Sequence, residues 1–290
     1  FAPGAFGSRR EHTRYNDTTE SEVIRLKFDL HTHHERCGHA RGSVRAYVEA
    51  AIQQGLQVIG ISDHTPAFAE EADQAWPGGA MAKSEFPAYI REVLELKQEY
   101  EGRIEVLLGI EADFLPPSLE LYESVISSYP FDYVIGSVHG FAGVSIYDSD
   151  HWEGLTGRER LELKDRYYEQ VAASARSGLY DILGHVDALN RYFPRYVELR
   201  TEMADAMLKT IAENDVAIEI NSSDDHWVPD VFILERALYH GVKVTFGSDA
   251  HDPFRVGEHF DAVCRFLWEI GYREWAVFRN RKRTMVGIGG

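Results

Sequence analysis

A chain of 290 residues with 44% hydrophobic side chains can bury a substantial core, as one large domain or two small ones. Its formal charge of −17 excludes the broad basic face that holds nucleic acid by phosphate neutralisation, so no nucleic-acid partner is expected, although a local cationic site stays compatible with it. No run approaches the roughly twenty apolar residues of a membrane helix, the start lacks a signal-peptide core, and Cys37 and Cys264 give no disulfide framework, which together point to a cytoplasmic protein with no membrane partner.

Residues 1–22 are polar, begin without Met and contain Gly7-Ser8-Arg9-Arg10. They read as an expression remnant or N-terminal extension, expected to be poorly ordered, and a single domain is assigned to residues 23–290. From there, short β-branched runs at roughly 24–30, 58–63, 104–110, 132–138, 180–185, 216–221 and 242–248 alternate with stretches of helical period. Ser43 can cap a helix that ends at Gln54 before Gly55, and another spans residues 85–100 before Gly102. Residues 66–83 are too long for an ordinary connection and read as a candidate lid or an idle loop. Alternation of this kind signals a parallel α/β sheet with crossover helices.

Metal-ligand residue types gather at the ends of these runs. His31 and His33 follow the first, His64 the second, Glu111 the third, His139 the fourth, His185 the fifth, and Asp249 with His251 the last. In an open sheet only the strands at the switch point meet a ligand. Contributions from six of seven strands favour a closed β/α barrel whose carboxyl-end loops build the site. His31 and His33 at i and i+2 share one face of an extended strand and can reach one ion. Glu111 closes an apolar strand without a basic neighbour; such a carboxylate needs a cation, and its two oxygens can bridge two metals. Mixed imidazole and carboxylate donors suit zinc, manganese or iron. Asp63, Asp113 and Asp187 are candidates to orient imidazoles, or plain turn carboxylates. Cys37 is either a further ligand or a small packing residue.

The segments Asp29-Leu30-His31-Thr32-His33, Cys37-Gly38-His39-Ala40, Ser62-Asp63-His64, Gly109-Ile110-Glu111-Ala112-Asp113, Gly136-Ser137-Val138-His139, Gly184-His185-Val186-Asp187 and Ser248-Asp249-Ala250-His251 resemble, in order, the motifs of the PHP (polymerase and histidinol phosphatase) superfamily, most closely its histidinol-phosphate phosphatase branch. The resemblance implies a distorted seven-stranded, TIM-like β/α barrel with three divalent metal ions at the carboxyl ends of the strands. It places His31, His33, Glu111 and Asp249 on the first ion, Glu111, His139 and His185 on the second, and His39, His64 and His251 on the third. His34, His151, His226, His240 and His259 fall outside the motifs and are expected on the surface or in packing.

The implied activity is hydrolysis of a phosphomonoester, L-histidinol phosphate, by a metal-bridging hydroxide, with Glu111, Asp249 and His251 as catalytic residues. Three divalent ions against two ligand carboxylates leave a cationic pocket in an acidic protein, which favours a small phosphorylated substrate over a large polyanion. Arg191 resembles a basic position of the branch and is expected to grip phosphate through its planar fork. Departures surround it. Ser222-Ser223-Asp224-Asp225-His226 is acidic where the family often has a basic residue, His139 is followed by Gly140-Phe141 where the branch often has an aromatic directly, and Asn190 replaces a frequently basic position. Competing readings are another small phosphorylated metabolite or nucleotide as substrate, a nuclease or proofreading module, and a structural metal core. The last is disfavoured because structural sites fill their shell with protein ligands, whereas two of these sets have only three.

Overall fold

The computed structural model describes residues 25–75, 79–141, 143–189, 201–223 and 227–289. The 1–22 extension therefore lies outside the described residues. In chain order the elements are β1 (Phe28–Asp29), α1 (Val44–Gln53), β2 (Val58–Ile61), α2 (Phe86–Glu99), β3 (Glu105–Leu108), β4 (Glu111–Asp113), α3 (Leu119–Ile126), β5 (Ile135–Ser137), β6 (Gly140–Phe141), β7 (Val144–Ser145), α4 (Ser149–Gly154), α5 (Gly157–Arg176), β8 (Ile182–Leu183), α6 (Thr201–Glu213), β9 (Ala217–Asn221), α7 (Val231–His240), β10 (Lys243–Gly247), α8 (Phe260–Ile270), β11 (Glu274–Arg279) and β12 (Lys282–Gly287). Ser43 caps α1 by accepting from Ala46 N, and Gly55 follows the helix with a φ of 73° that glycine adopts without strain.

The parallel strands form two sheets, β1-β2-β3 and β10-β9-β8-β5-β4, rather than one continuous ladder. Their edges meet at both seams. On one side Leu30 N donates to Phe246 O at 3.2 Å and Thr32 bridges Ala250. On the other, β3 runs into β4 through Gly109-Ile110, where Gly109 N bonds Ile61 O, Ile135 N bonds Ile110 O and His64 bridges Glu111. The expected third strand is thus split at Gly109.

Close packing inside the sheets explains that glycine. Tyr133 is fully buried and donates its hydroxyl to Leu30 O at 2.6 Å, so its ring crosses the space beside β2 and β3. A Cβ at Gly60 would lie 2.0 Å from the Tyr133 hydroxyl oxygen, and one at Gly109 would lie 2.3 Å from its Cζ. Outside the sheets, Phe28, Phe246, Phe260 and Trp275 pack edge to face or tilted, with centroids 4.7–6.5 Å apart, and join β1 and β10 to α8 and β11.

Two antiparallel hairpins have no counterpart in the expected elements: β6-β7, directly after His139, and β11-β12 at the C-terminal end. The second turns through Asn280 and Arg281, both with positive φ, a two-residue turn without the Asn-Gly signature that marks such turns in sequence. No helix among the described residues is long and apolar enough to cross a membrane.

Candidate metal centre

The chain leaves β1 still extended, so His31 and His33 emerge on one face with ring centroids 4.9 Å apart, while Thr32 turns away and donates to Gly60 O. Both imidazoles are 1% exposed. Oxygen acceptors orient the rings of the site. His31 Nδ1 faces Glu219 Oε1 at 2.5 Å, His33 Nδ1 faces Asp63 Oδ1 at 3.3 Å, and His139 Nδ1 faces Asp113 Oδ1 at 2.5 Å. Backbone carbonyls serve two more: Asp249 O lies 2.8 Å from His251 Nδ1, and Cys37 O lies 3.4 Å from His39 Nδ1. A carboxylate or carbonyl only accepts, so a proton on each of these Nδ1 atoms leaves the Nε2 lone pair available to a cation.

The imidazoles of His31, His33, His64, His139 and His185 converge on Glu111, itself 1% exposed. Its Oε2 lies 3.4 Å from His31 Nε2, 3.5 Å from His33 Nε2 and 2.8 Å from His64 Nδ1. Its Oε1 lies 3.4 Å from His139 Nε2 and 3.2 Å from His185 Nε2, and accepts from Ser137 Oγ at 2.6 Å. Asp249 Oδ1 completes the first group, 2.9 Å from His33 Nε2 and 3.6 Å from His31 Nε2. Despite these approaches, His31 Nε2, His33 Nε2 and Glu111 Oε2 are buried without a hydrogen bond of workable geometry. Buried polar atoms in this state need a partner, and a cation fits a set made of imidazole lone pairs and carboxylate oxygens. Three groups of such atoms lie within 4.8 Å of one another: His31, His33 and Glu111; His64, Glu111 and His139; His33, His64 and His251.

The structure therefore brings the residues of the first two expected ligand sets together. The third is more open. His39 and His251 approach at 2.8 Å between their Nε2 atoms, whereas the His64 ring sits 5.2 and 6.4 Å from theirs and turns its Nδ1 to Glu111. His64 stands between the second and third sets. Exposure rises in the same direction, from the buried His31 and His33 to His251 at 33% and an exposed His39.

Charge follows this geometry. Burial opposes ionisation of Glu111, but His64, His31 and His139 outweigh it and hold the carboxyl well below its usual range. Burial likewise disfavours a charged His33, yet Asp249, Asp63 and Glu111 raise it to about 9. The buried carboxylates are thus ionised and draw positive charge to this point. His251 behaves oppositely: burial and the neighbouring His33 push it down to about 3, so near neutral pH its ring is uncharged and one nitrogen offers a lone pair.

Asp63 and Asp113 take the orienting places expected of them, and Asp63 also lies 3.0 Å from His34 Nδ1. Asp187 turns to Tyr168, accepting its hydroxyl at 2.9 Å. Cys37 is buried, donates to His34 O and has its thiol pushed up to about 12 by burial, which is the packing role. His34 is buried against Tyr89, the half-buried His151 and His240 lie against Trp152 and beside Asp205, and the exposed His259 lies beside Trp227. Arg191, Asn190, Asp224, Asp225 and His226 lie outside the described residues. The stretch 66–83, described except at 76–78, is anchored by Phe68 on Phe86 and Tyr122 and by a bond from Tyr122 to Pro66 O. Glu219 and Asn221 were not singled out from the sequence. Their signal was present: a buried-strand pattern, Ala217-Ile218-Glu219-Ile220-Asn221, with polar residues at i and i+2.

Residues 29–223 match the PHP domain family. A Deinococcus radiodurans protein named "Probable histidinol-phosphatase" is 32% identical over 261 residues, covering 88% of this chain and 97% of the relative. The histidinol-phosphatase of Bacillus subtilis is 25% identical over 81% of this chain and 97% of its own. Among solved structures, the histidinol phosphate phosphatase of Lactococcus lactis, complexed with zinc, L-histidinol and phosphate, superposes with a TM-score of 0.75 at 23% identity, covering 89% of this chain and 99% of that one. On the family match and the coverage of its relatives, this chain belongs to the PHP family.

Proposed function

We propose that the chain is a metal-dependent histidinol-phosphate phosphatase, which hydrolyses L-histidinol phosphate to L-histidinol and phosphate. The observation that carries this reading is the convergence of His31, His33, His139 and His185 on the two oxygens of Glu111, with Asp249 against His33 and with His31 Nε2, His33 Nε2 and Glu111 Oε2 buried without a hydrogen-bond partner. It is supported by the relatives named as histidinol-phosphatases that align over most of the chain.

In this reading His31, His33, Glu111 and Asp249 hold one divalent ion, Glu111, His139 and His185 a second, and His39, His64 and His251 a third, zinc, manganese or iron being compatible with the donors. Bound divalent ions supply Lewis acidity, acidifying water and offsetting charge on phosphoryl oxygens. The chain supplies the geometry. Glu111 spaces the two inner sets, Asp63 and Asp113 fix the rings of His33 and His139, and Asn221 steadies Asp249 through a 3.2 Å contact to its Oδ2. The lowered His251 suits ligation at the rim better than proton donation. Arg191 takes the phosphate. We further assign residues 23–290 to one domain, a distorted barrel of seven strands in which β3 and β4 are halves of one interrupted strand and the seams between the two sheets close the ring. The substrate is small, and the cytoplasm is its setting.

The test is turnover across a panel of phosphomonoesters with zinc or manganese supplied. Histidinol phosphate should exceed the nucleotide and sugar-phosphate esters in kcat/KM by about a hundredfold or more, since a site built to pair a substrate's polar groups rejects analogues that lack them. A flat profile, or preference for another ester, would move the assignment to a different metabolite on the same scaffold.

A further inference from the structure

We infer that Glu219 is a positioning residue that ties the first and second ligand sets together while leaving the third independent, an inference that rests on the metal centre proposed above. Glu219 lies on β9, 1% exposed. Its Oε1 meets His31 Nδ1 at 2.5 Å, and its Oε2 accepts from the backbone N–H of His185 at 3.0 Å and from Asn221 Nδ2 at 3.1 Å. That same Asn221 nitrogen lies 3.2 Å from Asp249 Oδ2. One carboxylate thus reaches two members of the first set, His31 directly and Asp249 through Asn221, and one member of the second, His185. None of these bonds goes to His39, His64 or His251.

The surrounding backbone is shaped for this side chain. A Cβ at Gly247 would lie 2.0 Å from Glu219 Oε1, so only glycine on the neighbouring strand lets the carboxylate reach His31. His185 has a φ of 27°, a conformation that residues with a Cβ rarely adopt, and its N–H is anchored to Oε2. Because the carboxylate only accepts, it holds His31 with the proton on Nδ1 and the lone pair on Nε2, where the ligand atoms gather. Glutamine keeps the shape but has a single acceptor oxygen, so it can serve His31 or His185 but not both.

The experiment is a zinc titration of the metal-free full chain against a chromophoric chelator, wild type beside Glu219→Gln, with circular dichroism to check folding. Wild type should take up three equivalents. In Glu219→Gln two of them should weaken by about ten- to a hundredfold while the third is unchanged, the loss usual for a partner that orients a ligand. Equal weakening of all three, or of none, overturns the inference. A second readout needs no variant: nitrogen-15 spectra of the zinc-loaded wild type should place the His31 proton on Nδ1, and a proton on Nε2 overturns the inference. If wild type itself takes up no zinc, the metal centre fails, and this inference with it. That outcome is recognisable because it appears before any substitution is made.

Discussion

Glu111 sets one carboxylate within 3.5 Å of five imidazole nitrogens, a density of donors that no structural ion pair requires. Glu111→Gln keeps the volume and removes the charge, so zinc content should fall and turnover should drop by at least about a hundredfold, with the circular dichroism spectrum unchanged. Metal analysis and phosphate release measure the two effects, and retained wild-type activity would sink the role of the bridge. Arg191→Ala should raise KM for the phosphoester by about tenfold or more, the worth of a charge-assisted hydrogen bond, with zinc uptake intact. At this scale the sequence was legible where ligand spacing matched strand geometry, as in His31 and His33. The pattern marks Glu219 as a polar residue inside a buried strand but says nothing about the imidazole it meets 188 positions away. The left-handed backbone at His185 and Asp249 was equally hidden, since neither is glycine.

Among the elements, the β11-β12 hairpin is fixed to the strand termini opposite the metal centre by buried and half-buried charges. Asp132 accepts from Leu108 N at 2.9 Å, from Asn280 N at 3.1 Å and from Lys97 Nζ at 2.6 Å. Arg279 pairs with Glu105, and Arg281 with Asp181. Asp132→Ala would leave those donors unmatched at a site 1% exposed and should cost about 3 kcal/mol in urea unfolding. The α6-α7 contact is weaker. Hydrogen bonds from Arg236 and then His240 hold Asp205 below the usual carboxylate range, against the opposing effect of burial. A lowered carboxylate stabilises the fold above its unfolded value and loses that contribution as pH falls through the folded one. Asp205→Asn should therefore cost under about 1 kcal/mol at neutral pH and make no difference near about pH 2. The helices and most strands were readable because caps and periodicity are local. The hairpins were not, for their turns lack Asn-Gly, and the break at Gly109 answers a ring contributed by Tyr133 from another strand.

For the whole molecule, a charge of −17 surrounds a centre where Glu111 and Asp249 are held well below the usual carboxylate range, so cations bound there would make the pocket attractive to a phosphoester. Removing them should also loosen the fold, because ions that bind only the native chain stabilise it by mass action. Chelation is expected to lower the unfolding temperature, and zinc to restore it. Ligand types at nearly every strand end favour a closed ring, while the described strands pair as two parallel ladders whose edges are linked by a few hydrogen bonds and isolated bridges. The most direct test of the account is phosphate release from L-histidinol phosphate by the chelated protein as zinc is added back. Turnover should be absent without metal and should rise to a plateau only after more than one equivalent is bound. Full turnover in the metal-free protein, or zinc uptake without any hydrolysis, would contradict it.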